Sequence, residues 1–231
     1  MKQVYVIVSK TGTLASRLIK IFTHDKYNHA SISLRPDLKT IYSFGRKYVN
    51  NPVYGGFVRE SPDYGTFTKF PHSKIEVIAF DVTDETYYSL ESYLENMYEH
   101  KKDYKYNYIG LFTGMLNKNY KRDNYFYCSE FVAYILDKFN IVEKGFSNHF
   151  VKPMDFLNIK KGRVVYKGEI CDFKTPVPVT KTLVQPQNYF SREYFNYVIS
   201  KTQEILKKLA KVKLIYVILI ICATVFLDLI I

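Results

Sequence analysis

Apolar residues run unbroken through Val4, Tyr5, Val6, Ile7 and Val8 near the start of the chain, the pattern of a strand buried on both faces. The same run, followed by a turn at Thr11-Gly12-Thr13, does not read as a signal peptide. Leu14, Leu18, Ile19 and Phe22 then recur at helical spacing and predict a helix over residues 14–22. Residues 29–34 and 39–44 read as a hairpin around Arg35-Pro36-Asp37, whose proline and aspartate suit a turn. Residues 53–60 carry the Gly55-Gly56 pair and predict an irregular third strand or a substrate-facing loop, and 75–80 are a strong β run. Asp84 is placed to cap a helix reaching Tyr98, with Glu85 in its first turn. Residues 108–116 predict another helix inside a stretch, 103–127, dense in Tyr, Asn and Lys. From Cys128, Phe131, Val132, Ile135 and Phe139 follow at helical spacing, and Cys128 shares their face, so it points inward. Residues 153–157 predict a short helix and 163–167 a final strand; no internal repeat is visible.

Beyond Cys171 the texture changes. Pro176, Pro178 and Pro186 predict an extended linker over 171–190, since closely spaced prolines oppose both helix and central strand. Tyr194, Tyr197, Ile205 and Leu209, set among Lys and Glu, predict a basic amphipathic or stalk helix over 191–213. Residues 214–231 are almost wholly apolar, with Asp228 their only charge. At about 1.5 Å per residue such a segment spans roughly 27 Å, near the thickness of a bilayer core. Lys207, Lys208, Lys211 and Lys213 precede it, which predicts a single-pass C-terminal transmembrane anchor with residues 1–213 facing the cytoplasm. A buried C-terminal helix or an oligomerising stalk is the alternative.

The 231 residues and 47% apolar content suit one compact domain with an appendage. A formal charge of +11 raises the question of nucleic acid. Lysine is spread along the chain, however, with no arginine-rich arm, zinc-finger spacing or ribonucleoprotein signature, so no nucleic-acid partner is expected. A basic surface beside an anionic membrane fits better. The cysteines, at 128, 171 and 222, are odd in number and without paired spacing, which argues for a reducing compartment and against a disulfide framework. The sequence carries no signal for oligomeric state.

Two short segments carry the chemistry. Tyr27-Asn28-His29-Ala30-Ser31-Ile32-Ser33-Leu34 puts a histidine at the head of a strand, and Tyr127-Cys128-Ser129-Glu130-Phe131-Val132 puts a cysteine at the start of a helix. A helix N-terminus favours thiolate over thiol, and a nearby imidazole completes a nucleophile and base pair. The plainer alternatives are a core cysteine and a hydrogen-bonded strand histidine. His24 and His29 are five apart, which suits neither a helix face nor alternating strand positions, so no metal site is expected, and no cofactor. Glu130, about 200° round the helix from Cys128, reads as a supporting carboxylate in the first turn.

Histidine before cysteine reverses the order of ordinary papain-like enzymes. It resembles the circularly permuted papain-like proteins of the NlpC superfamily, the group of the YiiX-like hydrolases and the lecithin-retinol acyltransferase relatives. The resemblance rests on residues 4–9, 14–22, the strand from His29 and Cys128-Ser129-Glu130, and it covers residues 1–170. It implies an α+β domain over those residues, an antiparallel sheet packed on the cysteine helix, with Cys128 as nucleophile and His29 as base. A third polar residue, often His, Asn, Gln or Glu, belongs on the strand after the histidine strand. Hairpin pairing around residues 35–38 puts Ser43 or its neighbours opposite His29 there. Serine departs from that set and leaves a dyad, a backbone carbonyl or a water as alternatives. The oxyanion donors expected are the Cys128 backbone N–H and a second group, Tyr5 or a residue of the 9–12 loop. The implied function is that of a cysteine hydrolase or acyltransferase acting on an amide, thioester or ester of a peptide-like or lipid substrate, at a membrane. A catalytically inactive binding module, or a membrane-anchored scaffold acting through residues 103–127, are the rival readings.

Overall fold

The computed structural model describes residues 1–10, 25–47, 54–116, 118 and 120–173, and its organising element is β1, Lys2–Lys10. β1 pairs antiparallel with β2 (His29–Ser33) on one edge and β5 (Lys74–Val82) on the other, which accounts for its unbroken apolar run. β3 (Ile41–Arg46), β4 (Gly55–Glu60), β6 (Lys105–Tyr106), β7 (Tyr125–Phe126) and β8 (Arg163–Glu169) complete one sheet in the order β7-β6-β4-β3-β2-β1-β5-β8. Every pairing is antiparallel except β6 with β7. The helices described are α1 (Thr66–Lys69), α2 (Asp84–Glu99), α3 (Tyr108–Met115) and α4 (Cys128–Lys138). The domain is therefore α+β. The segment 53–60 resolves into β4, an ordinary strand over its described part, rather than a loop.

Alternation along β1 divides the core. Val4, Val6 and Val8 pack with Leu90, Leu94 and Met97 of α2 and with Phe131, Val132 and Ile135 of α4. Tyr5 and Ile7 join Leu38, Ile41, Phe67 and Ile75 in a second cluster. Each such side chain contributes roughly 1.5–3 kcal/mol on leaving water. Phe44 ties β3 to its neighbours, with ring centroids 5.4 Å from Phe57, 5.3 Å from Phe126 and 5.2 Å from Phe131. Through these rings the cysteine helix is fixed on the β3–β4 side of the sheet.

The turn between β2 and β3 closes by Leu38 N–H donating to Arg35 O at 3.1 Å. Leu38 adopts φ 53°, a left-handed conformation unfavourable for leucine, and complete burial of its side chain offsets the cost. At the start of α2 the cap is Thr83, not Asp84: its Oγ1 accepts from Thr86 N at 3.1 Å, which leaves Asp84 and Glu85 in the first turn against the helix dipole.

The chain divides into two compact units, Met1–Thr182 and Leu183–Ile231. The predicted helix over 14–22, the basic helix, the anchor and all of the linker beyond Phe173 lie outside the described residues. Among the described residues no helix is long and apolar enough to cross a membrane.

Candidate active site

His29 opens β2 directly opposite Ser9 of β1. On its other edge β2 pairs with β3 at Ile32–Tyr42 alone, so the head of the strand does not spend its backbone groups on β3. The Ala30 amide instead meets the sulfur of Cys128. Cys128 is the first residue of α4, reached through an extended Tyr127, and is only 3% exposed. Its thiol lies in hydrogen bonds with the His29 imidazole and with the Ala30 and Ser129 amides.

The electrostatics of this pair follow from its neighbours. Burial pushes the Cys128 thiol up, but the imidazole and the two amides outweigh it and bring the thiol below its ordinary value. Burial works against an imidazolium at His29, yet the Glu60 carboxylate and Cys128 raise it to about 10. Glu60 is itself buried, which disfavours its charge, and His29 and Ser43 hold it below the usual carboxylate range. His29 Nε2 lies 3.0 Å from Glu60 Oε2, and Ser43 Oγ donates to the same oxygen at 2.7 Å. The four residues form a chain, Cys128–His29–Glu60–Ser43, in which each charged form, thiolate, imidazolium and carboxylate, is favoured by its neighbour against the cost of burial.

Ser43 is therefore at the site but holds Glu60 and not the imidazole. The register explains the correction: with Ile32 facing Tyr42, Ser43 comes alongside Ser31 instead of His29. The orienting carboxylate comes from one strand further on, at the end of β4, where Glu60 pairs with Ile41. Nothing local in the sequence marks this glutamate, because its place behind His29 depends on the β3–β4 register.

Tyr5 does not reach the site. It pairs with Ser33, at the opposite end of β2 from His29, and its phenol donates to Gln3 Oε1 at 2.9 Å. The tyrosine that does arrive is Tyr106, on β6. Its hydroxyl makes hydrogen bonds to both the thiol and the backbone N–H of Cys128, and burial, with Cys128 beside it, pushes its pKa well up. Pairing of Tyr106 with Phe126 sets it two residues ahead of the cysteine in space.

Glu130 takes the supporting role. Its Oε2 accepts from Tyr127 N at 3.2 Å and from Asn107 Nδ2 at 3.3 Å, and burial raises its pKa in spite of both donors. Asn107 also caps α3, accepting from Gly110 N at 2.9 Å. Glu130 and Asn107 thus bolt the start of α3 to the start of α4. Glu130 also lines a groove of about 620 Å³ with Tyr93, Tyr104, Tyr125, Tyr134, Lys121 and Arg122; neither Cys128 nor His29 lines it.

A second cluster of the same three residue types lies elsewhere. His72 Nδ1 is 2.7 Å from Glu169 Oε2, and Cys171 Sγ is 3.9 Å and 3.8 Å from those two atoms. Backbone bonds from Ile170 N to Ser73 O and from Cys171 N to Pro71 O hold the two segments together. These three donor atoms, all within 4.8 Å of one another, are of the types that bind zinc. No protein-family model and no curated protein matches the chain.

Proposed function

We propose that this domain is a cysteine hydrolase or acyltransferase of the permuted papain-like kind, acting on an amide, thioester or ester. The observation that supports it most is the chain Cys128–His29–Glu60, in which a buried thiol is lowered by an imidazole that a buried carboxylate orients. In the reaction the Cys128 thiolate forms a C–S bond to the substrate carbonyl carbon. With Nε2 held by Glu60, His29 passes the proton at Nδ1 to the leaving group, and the acyl group stays on sulfur. His29 then takes a proton from water or a second acceptor, which attacks the acyl carbon and expels the thiolate. Glu60 stabilises the imidazolium and fixes its ring, as the carboxylate does in related triads. The Cys128 N–H and the Tyr106 hydroxyl are the donors for the oxyanion.

One observation favours a second reading. Tyr106 and burial cover the thiol, as suits a papain-like module that binds a ligand without turning it over. A single experiment separates the two: alkylation of the full chain with a small iodoacetamide at neutral pH, followed by peptide mass mapping, alongside a panel of activated esters and thioesters. The catalytic reading expects Cys128 to react faster than Cys171 and to carry the acyl group. A Cys128 that alkylates more slowly than Cys171 and never acylates refutes it and leaves the binding module.

A further inference from the structure

The helix α3 is built inside out for a folded domain. Its small residues face the body: a Cβ added at Gly114 would lie 2.1 Å from the Phe150 ring, and one at Gly110 would lie 2.7 Å from Tyr120 O. Two large apolar residues of the helix and the one at its C-cap face away, with Ile109 52%, Phe112 56% and Leu116 59% exposed. Their spacing places them along one side of the helix. Folding alone gives no reason to turn the bulky side outward, and a contiguous exposed apolar stripe marks a docking surface.

Charge identifies the occupant. Lys101, Lys102 and Lys105 precede α3, and they crowd Lys47, whose amine is pushed down by burial and then by these three neighbours. Lys118, Lys121 and Arg122 follow it, with Asp103 and Asp123 the acidic residues among them. An apolar stripe with cations at both ends complements an anionic bilayer, whose headgroups attract the lysines while its acyl boundary takes the apolar side chains. The helix is also fastened to the reactive centre, since Asn107 joins it to Glu130 and Tyr106 immediately before it touches Cys128.

We propose that α3 seats this domain on an anionic lipid surface, with Ile109, Phe112 and Leu116 at the acyl boundary, and so presents Cys128 to acyl or lipid-borne substrates there. The substrate class rests on the catalytic reading above; the docking does not. It is distinct from the apolar C-terminal segment, because it orients the domain rather than tethering it.

The chain contains no tryptophan, so Phe112→Trp places a single reporter on the stripe. Full-length protein carrying it is mixed with vesicles of phosphatidylcholine alone, or with added phosphatidylserine, both containing brominated acyl chains that quench on contact. Docking predicts a blue shift and about twofold quenching on the anionic vesicles. Both should be lost on neutral vesicles and on adding Lys101→Glu with Lys102→Glu. Three results overturn the proposal: no quenching on either vesicle; equal quenching on both, which assigns the contact to the tail; and blue-shifted emission without lipid, which assigns the stripe to another part of the chain or to a second copy. Leu116→Trp repeats the reading if the Phe112 variant melts early. Alkylation of Cys128, measured in the same samples, reads the catalytic proposal separately.

Discussion

Cys128, His29 and Glu60, where the cysteine helix meets the sheet, and Cys171, His72 and Glu169 at the sheet edge are the same three residue types, differently wired. In the first set the sulfur meets an imidazole and backbone amides, and the carboxylate stands behind the imidazole, which lowers the thiol. In the second the sulfur is exposed, within 3.8 Å of Glu169 Oε2, and what burial it has, together with Asp172 and Glu169, raises the thiol. Cys171 lies within a three-residue 3₁₀ turn, Ile170–Asp172, whereas Cys128 opens an eleven-residue α-helix. A Cys/His/Glu composition therefore says little by itself. What decides is which partner faces the sulfur, and whether amides and a helix start add to it.

The contrast can be broken by experiment, beginning with its largest consequence. Cys128→Ser should remove all acylation of the protein, and Cys171→Ser should leave it unchanged. In the wild type, Cys128 should alkylate about tenfold faster than Cys171 at neutral pH, because an ordinary thiol is only a few per cent thiolate there. Equal rates would mean that the wiring does not matter. Next, His29→Gln leaves only the Ala30 and Ser129 amides to oppose burial at the thiol. Alkylation of Cys128 should slow by about tenfold at neutral pH, and its rate–pH curve should move to higher pH; the same substitution at His72 should do nothing to it.

Glu60→Gln removes one charge of a buried pair and should cost roughly 3 kcal/mol, read by urea or thermal unfolding. The sign follows from the shift. His29 is raised from 6.5 to about 10, so its contribution to stability is complete below pH 6.5 and fades as pH climbs through 10. Glu60 is lowered, so its contribution holds above its ordinary range and is lost as pH falls through its folded value. The wild type should thus lose stability on approaching pH 10, and Glu60→Gln should flatten that decline. A variant with an unchanged alkaline slope would contradict the pairing. A smaller effect concerns the edge cluster: zinc should slow alkylation of Cys171 severalfold and spare Cys128, and a chelator should reverse it. Smallest of all, Ser43→Ala removes one hydrogen bond to Glu60, about 1 kcal/mol of stability, with the Cys128 alkylation rate within about twofold of wild type.

The parts of this molecule readable from sequence are those whose cause is local. β1 and β5 are apolar runs because they lie inside the sheet, and Cys128 and His29 are legible because a helix start and a strand start are written in their neighbours. Glu60 was not legible, since its role depends on the β3–β4 register and on a turn at Leu38 that shifts Ser43 away from His29. Nor was Tyr106 separable from Tyr5 among 22 tyrosines. Strands of two residues, such as β6 and β7, have no periodicity to read, and only their pairing carries Tyr106 to the thiol.

The single paired position between β2 and β3 has a mechanical meaning. On one side of that seam β1, β2, β5 and β8 are knitted along their lengths; on the other, β3 and β4 are knitted from Ile41–Glu60 to Arg46–Gly55. His29 rides on the first plate, Glu60 and Ser43 on the second, and Cys128 is set across the join. Load applied between the plates should open the seam first, separating the imidazole from its carboxylate and leaving both plates whole. Amides of β2 that face the seam should accordingly exchange with solvent sooner than those of β1, with the Cys128–His29–Glu60 cluster coming apart while the sheet persists.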